Sequence, residues 1–442
     1  MNRIILIGNG FDLAHGLKTS YKNFIDDYWT EFAKKYLESS PCEDEFVKLE
    51  NTNGPKGGYE TWIGATYSGD TLCIILLHFL DEIKTGNVNS YNDLKQLIEK
   101  VKDASDLQFA LSFKNNFWKQ ISEHVADINW AGIEHEYYER LRKCNHEEAE
   151  VLNKELKQIE KLLEKYLSKI EKEVVSTNKD LFFQIYSPLH IEDFIETHIP
   201  IIRKVYRNAN DYPTKLKELN KIFNWILNNK HCTSKKDYDD RVSGIHGINL
   251  FPKNVCFLNF NYTDTTDKYY KYLTIQDVLN TNFHHYLTSD LWREMCKNRE
   301  IVHIHGELNN PKNPIIFGYG DELAKDYKEI EERNDNEYLR NVKSIRYLDT
   351  ANYRKMLSFI ESEPYQIFIM GHSCGNSDRT LLNILFEHEN CVSIKPFYYK
   401  KSETEDNYNE IVQNISRCFT NKAAMRERVV NRTFCEPLVN NR

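Results

Sequence analysis

The stretch RIILIGNGFD, residues 3–12, decides the fold of this chain. Its first five residues are a largely apolar run, and Gly8 and Gly10 follow at once. An apolar run of this length that glycines bound is typical of a buried strand in a parallel sheet. A Gly-x-Gly turn between a strand and a helix lets backbone N–H groups approach a phosphate, because glycine has no Cβ. The stretch therefore predicts a nucleotide site, with Asn9 and Asp12 beside the two glycines.

The turn departs from the full dinucleotide fingerprint. That fingerprint has a third glycine three residues after the second. Leu13 occupies this place, and the next glycine is Gly16. A tight turn that binds no ligand is therefore the alternative interpretation.

The composition excludes several classes of protein. The chain has 442 residues, of which 40% are hydrophobic, so it is long enough for two domains or for one domain with a large insertion. A net charge of −8 gives no basic footprint of the kind that nucleic-acid-binding proteins carry. The 10 cysteines form no C-x-x-C pair, which argues against a zinc site and favours reduced core residues.

Two features predict a cytoplasmic protein that does not span a membrane. The chain enters its first strand at residue 3, which leaves no room for a signal peptide. The longest apolar run, residues 72–80, is far too short to cross a bilayer.

Helical spacing dominates the middle of the chain. Residues 21–38 predict an aromatic-rich helix, and the glycines and prolines of residues 40–70 predict an irregular stretch. Further helical patterns follow at 71–80, 91–102, 117–143, 146–174, 192–206 and 214–229. We therefore expect a large all-helical insertion domain over residues 61–244.

Apolar strands return after residue 250. Strands are predicted at residues 254–260, 301–305, 314–317, 366–370 and 392–398. Together with residues 3–7 they indicate about six strands of an α/β domain. Its sheet is expected to be doubly wound and mostly parallel, and to be built from residues 1–60 and 245–442. Ligands of such sheets bind outside the carboxyl ends of the strands.

The helix predicted over residues 146–174 carries a seam of apolar residues. Leu152, Leu156, Ile159 and Leu163 alternate by four and three positions. The seam favours packing within a helical bundle. A coiled coil between two copies is the alternative, so a homo-oligomer through the insertion stays open.

Polar residues follow two of the predicted strands. Asn261 and Asp264 come after residues 254–260, where they could contact ribose hydroxyls, orient a water or cap the next helix. His303 and His305 lie two residues apart at the end of the next strand. No partners at metal-ligand spacing accompany them, so we expect a single functional His305, freed by Gly306, rather than a metal site.

The stretch Gly371-His372-Ser373-Cys374-Gly375 matches the nucleophile elbow of serine hydrolases. A catalytic triad also needs a later histidine, and only His388 follows. A histidine so close behind the serine is hard to bring back over it. The favoured interpretation is a phosphate or ribose loop, in which Gly371, Ser373 and Asp378 contact the ligand.

Five stretches resemble the AbiH family of bacteriophage abortive-infection proteins. They occur in the expected order and span most of the chain: ILIGNGFDLAHGLKTSYKNF, FLNFNYTDT, VHIHGEL, IIFGYGDE and IFIMGHSCGNSD. The resemblance implies a role in phage defence, with a phage-derived trigger as a partner.

The same arrangement looks like a sirtuin-type, Rossmann-like NAD-binding fold. That likeness implies a phosphate loop at Gly8-Asn9-Gly10 and a ribose-side asparagine at Asn261. It also implies a His-Gly pair at His305-Gly306 and a late cofactor loop containing Gly371 and Ser373. Asp264 stands one residue further along than the corresponding sirtuin aspartate. The zinc module of deacetylating sirtuins has no counterpart, which favours NAD hydrolysis over protein deacylation.

The resulting expectation is an NAD glycohydrolase. Asn261, His305 and Asp264 are the expected catalytic residues, NAD is the expected substrate or ligand, and no metal is expected. The expected cofactor-binding residues are Gly8, Asn9, Gly10, Asp12, Gly306, Gly371, Ser373 and Asp378. A nucleotide-binding sensor without turnover and a hydrolase of another type, serine-based or metal-based, are the alternatives.

Overall fold

The computed structural model describes residues 1–38, 41–53, 57, 71–104, 107–124, 130–173, 177–187, 189–198, 252–271, 298–324 and 326–439. Two compact units divide the chain. The first comprises Met1–Leu17, Glu171–Lys328 and Asn341–Arg442, and the second comprises Lys18–Ile170 and Glu329–Arg340. The domain boundaries expected near residues 60 and 245 lie outside the described residues.

The described residues form both strands and helices. In chain order the strands are β1 (Asn2–Ile7), β2 (Cys42–Glu43), β3 (Val47–Asn51), β4 (Phe109–Phe113), β5 (Val255–Asn259), β6 (Arg299–His303), β7 (Tyr365–Met370) and β8 (Cys391–Phe397). The helices are α1 (Asn9–Ala14), α2 (Tyr21–Glu38), α3 (Thr71–Lys84), α4 (Tyr91–Ala104), α5 (Asn116–Glu123), α6 (Trp130–Lys143), α7 (His146–Ile170), α8 (Lys179–Ile185), α9 (Thr265–Lys271), α10 (Tyr327–Glu332), α11 (Lys343–Arg346), α12 (Asn352–Ser362), α13 (Arg379–Glu387), α14 (Tyr408–Cys418) and α15 (Lys422–Arg428).

The main sheet of the first unit is parallel, and its order is β6-β5-β1-β7-β8. Strands β5 and β6 extend the sheet on one side of β1, and β7 and β8 extend it on the other. Because all five strands run the same way, their carboxyl ends share one edge of the sheet. The expected α/β class with a mostly parallel sheet is confirmed.

Strand β1 lies at the centre because both of its faces are apolar. Ile4 and Leu6 belong to one hydrophobic cluster, whereas Ile5 and Ile7 belong to a second. Successive side chains of a strand point to opposite faces, so the run fills the core on both sides of the sheet.

Two details of the predicted sheet are wrong. Strand β6 ends at His303 rather than at residue 305, and residues 314–317 are not a strand. Ile316 donates its backbone N–H to the carbonyl of His305 at 2.8 Å, but Pro314 has no N–H with which to continue a ladder. The parallel sheet therefore has five strands within the described residues, rather than about six.

The second unit contains an antiparallel sheet of order β2-β3-β4. The expected irregular stretch thus contains β2 and β3, and the expected all-helical insertion contains β4. Phe109 pairs with Asn51, and Phe113 pairs with Val47. The five residues FALSF are too few for periodicity to separate a strand from a helix.

The apolar seam predicted for residues 146–174 lies on helix α7 and is buried. The four seam residues Leu152, Leu156, Ile159 and Leu163 are buried within the chain, and so are Tyr166 and Ile170, which continue the same spacing. The carboxylate of Glu155 accepts the backbone N–H groups of Asn116 and Phe117, which joins α7 to the start of α5. The prediction of packing within a helical bundle is confirmed.

The remaining helical predictions fall partly outside the described residues. Residues 192–206 are described only to residue 198, where Ile191–Asp193 and Glu196–His198 form short 3₁₀ turns, and 214–229 are not described. None of the helices in the described parts of the chain combines the length and the apolar character that a membrane crossing requires.

Candidate functional site

Two turns meet at the carboxyl edge of the sheet, and glycines allow their backbones to touch. A Cβ on Gly8 would lie 2.5 Å from the Cα of His372. Gly371 has a φ of +79°, and a Cβ there would lie 2.1 Å from the backbone nitrogen of Phe11. The turn after β1 therefore packs directly on the turn after β7.

Hydrogen bonds fasten the same contact. Gly8 donates its N–H to the carbonyl of Met370 at 3.2 Å, and Gly10 donates to that of Gly371 at 2.8 Å. Phe11 donates its N–H to the carbonyl of Gly8 at 2.8 Å. Three N–H groups that a phosphate would need are therefore bonded within the protein.

The loop after β5 holds the first turn from the other side. Asn261 is buried, and its Nδ2 donates to the carbonyl of Gly8 at 3.0 Å. The hydroxyl of Thr263 donates to Oδ2 of Asp12 at 2.6 Å. Burial raises the pKa of Asp12 to about 6, against the effect of the Thr263 hydrogen bond. Of the predicted site residues, Asn261 thus lies against the turn between β1 and α1, and Asp12, which belongs to α1, contacts the loop after β5.

A buried network of ionisable groups lies on the same edge. Asp378 is its centre: Oδ1 lies 2.9 Å from Nζ of Lys343 and 3.1 Å from Nε2 of His305, and Oδ2 lies 3.5 Å from Nε2 of His372. The hydroxyl of Tyr347 lies 3.2 Å from the same nitrogen of His305. All five residues are buried, so these charges interact in a poorly hydrated environment.

The partners of the two histidines determine their tautomers. A carboxylate only accepts hydrogen bonds, so Nε2 of His305 and of His372 each carries the proton directed at Asp378. Cys374 donates its backbone N–H to Nδ1 of His372 at 2.9 Å, which also requires an unprotonated Nδ1 there. In contrast, Nδ1 of His305 makes no hydrogen bond to any residue that the structure describes.

Burial and the nearby Lys343 ammonium lower the pKa of His305 to about 4, although Asp378 opposes the change. Burial alone would raise the pKa of Asp378, but Lys343, His305 and His372 hold it well below its ordinary value. The network at neutral pH is therefore an ionised Asp378 between a neutral His305 and a charged Lys343.

A cavity of about 520 Å³ opens beside the two turns. Its walls come from α1, from the turn after β7, from the end of β8 and the segment after it, from the start of α14 and from the C-terminal segment. They comprise Gly10, Leu13, Ala14, Gly371, His372, Ser373, Phe397, Tyr399, Asn407, Glu410, Ile411, Asn414, Leu438 and Val439. His372 belongs both to the wall and to the buried network, so it connects the cavity with Asp378.

Three predicted site residues lie outside the cavity wall, the buried network and the hydrogen bonds that hold the turn after β1. The side chain of Asp264 is 51% exposed and pairs with Lys268 at 3.7 Å. Gly306 has a φ of +89°, and a Cβ there would lie 2.2 Å from the carbonyl oxygen of Pro314, so it serves a tight backbone contact. Asn9 is half-buried as the first residue of α1.

The loop after β7 does not have the geometry of a nucleophile elbow. In such an elbow the strained residue carries the nucleophile. Here the left-handed conformation belongs to Gly371 and to Cys374, whose φ is +54°, whereas Ser373 does not have a positive φ. Within the described part of the chain, the Ser373 hydroxyl has no hydrogen-bond partner.

Sequence reasoning missed Lys343, Tyr347 and His372. The first two lie in the stretch NVKSIRY, which carries no motif. His372 stands inside the Gly371–Gly375 stretch, whose G-x-S-x-G pattern points to Ser373 instead. A titratable side chain directly after a strand and a glycine was the available signal.

Comparison with known proteins bears on the whole chain. The family model described as "Bacteriophage abortive infection AbiH" matches residues 4–400. No curated protein and no solved structure gives a significant match, so the sirtuin likeness has no counterpart there. Because the family match spans most of the chain, this protein belongs to the AbiH family of bacteriophage abortive-infection proteins.

Proposed function

We propose that this abortive-infection protein acts by hydrolysing NAD to nicotinamide and ADP-ribose at the carboxyl edge of its main sheet. Family membership supports the role in phage defence. The cavity at the meeting point of the two glycine turns is the observation that carries the assignment of the site.

The strand order supports a nucleotide ligand. Numbered along the chain, the five parallel strands have the order 3-2-1-4-5, which agrees with the first five positions of the order 3-2-1-4-5-6 in Rossmann-type nucleotide-binding sheets. Ligands of such sheets bind where the connections change direction, which here is between β1 and β7. Gly10 and Gly371, which follow these two strands, both line the cavity.

The chemistry needs a water, a base and a held substrate. Cleavage of the bond between nicotinamide and ribose releases neutral nicotinamide and leaves an oxocarbenium-like ribose carbon. Water adds to this carbon, and one proton leaves the water. His305 can accept that proton at Nδ1, since Asp378 holds the other ring nitrogen and the neutral ring is unprotonated there. Its lowered pKa makes it a weaker base than an ordinary histidine, so its contribution depends on its position at the water. Asn261 positions the turn through Gly8.

The test uses purified protein, NAD and a direct measurement of nicotinamide. We expect His305→Gln to slow nicotinamide release by about 100-fold or more, which is the usual contribution of general acid–base catalysis. His146 provides the matched control, because it pairs with Asp335 at 2.6 Å but is exposed. His146→Gln should retain the wild-type rate. Equal rates in the His305→Gln variant and the wild type would rule out the base.

A binding module without turnover is the second candidate. It is favoured by the fact that both ring nitrogens of His372, the histidine in the cavity wall, already face protein groups. Wild-type protein that binds ADP-ribose but never releases nicotinamide from NAD would establish this candidate instead.

A further inference from the structure

The cavity contains a carboxylate whose position bears on which nucleotide it accepts. Helix α14 forms the part of the cavity wall that carries this carboxylate. Hydrogen bonds hold the helix against the loops that follow β7 and β8. Oδ1 of Asn407 accepts the backbone N–H of Tyr399 at 2.6 Å, and Nδ2 of Asn414 donates to the carbonyl of Ser373 at 2.8 Å. Helix α14 thus joins the loops after β7 and β8, and Glu410 lies on it between the two asparagines.

Glu410 is free to bind a ligand. Its side chain lines the cavity and is exposed, and within the described residues its carboxylate has no hydrogen-bond or ion-pair partner. The side chains of Asn407 and Asn414 are committed to the loops that they hold. None of the described lining residues is a lysine or an arginine.

The remaining lining residues that we consider are large apolar side chains, which suit the flat face of a nucleotide base. Leu13 and Tyr399 are 43% and 54% exposed, and both of these large side chains line the cavity. Phe397 and Ile411 contribute further buried apolar surface. A planar base can cover such side chains, whereas a phosphate gains nothing from them.

The negative charge of Glu410 should then distinguish a nucleotide with a free ribose hydroxyl from one that carries a phosphate in its place. A carboxylate accepts hydrogen bonds from the hydroxyl groups of a ribose. It repels a phosphate attached at the same ribose position, because both groups are anions and none of the described lining residues is a lysine or an arginine. Glu410 also stabilises α14 whether or not a ligand is bound, because acidic residues in the first turn stabilise a helix N-terminus. Ligand discrimination therefore has to be measured separately from stability.

We infer that Glu410 makes this cavity select a nucleotide whose adenosine ribose carries a free 2′-hydroxyl over one that carries a 2′-phosphate. The inference rests on the proposed function, since it assigns the adenosine end of NAD to the cavity. It names NAD, and excludes NADP, as the substrate class.

The experiment compares two ligands that the proposed reaction does not consume. ADP-ribose and 2′-phospho-ADP-ribose are titrated into the full-length protein, and binding is measured by calorimetry. We expect the wild type to bind ADP-ribose roughly tenfold or more tightly than its 2′-phosphate. Glu410→Gln should bring the ratio of the two affinities close to one, and Glu410→Lys should reverse the preference.

Glu427 supplies the matched control. It is exposed on α15 and does not line the cavity, so Glu427→Gln changes the same charge and should leave the ratio at its wild-type value. Equal wild-type affinities, no binding of either ligand, or a ratio unchanged in Glu410→Gln would each overturn the inference. A circular dichroism spectrum like that of the wild type establishes that each variant is folded.

This inference and the proposed function fail separately. Discrimination through Glu410 without nicotinamide release from NAD would leave the inference standing and overturn the hydrolysis. Nicotinamide release from NAD and from NADP at equal rates, unaffected by Glu410→Gln, would leave the hydrolysis standing and overturn the inference.

Discussion

At the scale of single residues, buried ion pairs as well as apolar packing hold the side chains at the carboxyl edge of the sheet. Asp378 contacts Lys343 and two histidines, and each of these groups is almost completely buried. Removing one member of such a pair leaves an uncompensated buried charge, which costs roughly 3 to 5 kcal/mol in other proteins. Asp12 differs, because its nearest polar contact is the neutral hydroxyl of Thr263.

Asp12 should give the protein a specific dependence on pH. Its pKa is raised from 3.8 to about 6, so the folded chain binds more protons than the unfolded chain between these pH values. The free energy of unfolding therefore falls as the pH rises from about 4 to about 6, by roughly 3 kcal/mol, and this contribution stays level above that. We expect Asp12→Asn to gain stability over the wild type at pH 7.5, but little at pH 4.5.

The comparison requires urea unfolding at both pH values, with the unfolding monitored by far-ultraviolet circular dichroism. Asp264→Asn is the control, because the Asp264 side chain is half exposed, at 51%. Its effect on stability should be small at both pH values. An Asp12→Asn effect of the same size at pH 4.5 and at pH 7.5 would contradict the assignment.

At the scale of elements, the contact between the turns after β1 and β7 depends on missing side chains. Gly16 and Gly371 have nearly the same left-handed backbone, with φ of +81° and +79°. A Cβ on Gly16 would meet nothing within 4 Å, whereas one on Gly371 would overlap the backbone of Phe11. The pair therefore separates backbone strain from steric overlap.

We expect Gly16→Ala to lower the free energy of unfolding by about 1 to 2 kcal/mol, which is the cost of a left-handed alanine. Gly371→Ala should cost roughly 3 kcal/mol or more, because the two turns must also move apart. It should weaken ADP-ribose binding as well, since Gly371 lines the cavity. Urea unfolding and calorimetry measure the two effects, and similar losses for both variants would contradict this account.

The elements that could be predicted from the sequence are those with strong local patterns. Helix α2 begins and ends at the predicted residues 21 and 38, and β7 lies within one residue of its prediction. Strand β4 was missed because its five residues are too few to show a strand pattern; the structure identifies it by its pairing with β3. The end of β6 was misplaced because a turn after His303 separates the two histidines: Nδ1 of His303 faces Asn259, whereas His305 faces Asp378.

At the scale of the whole molecule, membership of the AbiH family connects this protein with abortive infection by bacteriophages. The proposed hydrolysis removes a cofactor that the whole cell requires. A loss of NAD should therefore be measurable in infected cells as well as with the purified protein. A phage-derived trigger stays a prediction.

We expect cells that carry the wild-type protein to lose NAD after infection and to release few phage. Cells that carry His305→Gln should keep their NAD and lose protection together, and cells that carry His146→Gln should behave as wild type. Mass spectrometry of NAD and plaque counts at successive times measure both effects. Protection that persists in His305→Gln cells with normal NAD would separate defence from NAD hydrolysis.

The sequence by itself determined the class of the fold and the edge at which polar residues gather. Apolar runs and helical periodicity are local patterns, so β1, β5, β7 and β8 could be located without a structure. The same patterns placed Asn261, His305 and Gly371 close to strand ends, although His305 lies two residues beyond the end of β6.

Only the tertiary structure decided which residues meet at that edge and what the glycines do. Lys343, Asp378 and His305 are far apart in the chain, and their contacts depend on the strand order and on the path of the loops. The glycines of the RIILIGNGFD stretch, which predicted a phosphate loop, pack on the turn after β7. A missing Cβ permits close approach by any backbone or ligand, so the sequence could not determine which of them occupies the space.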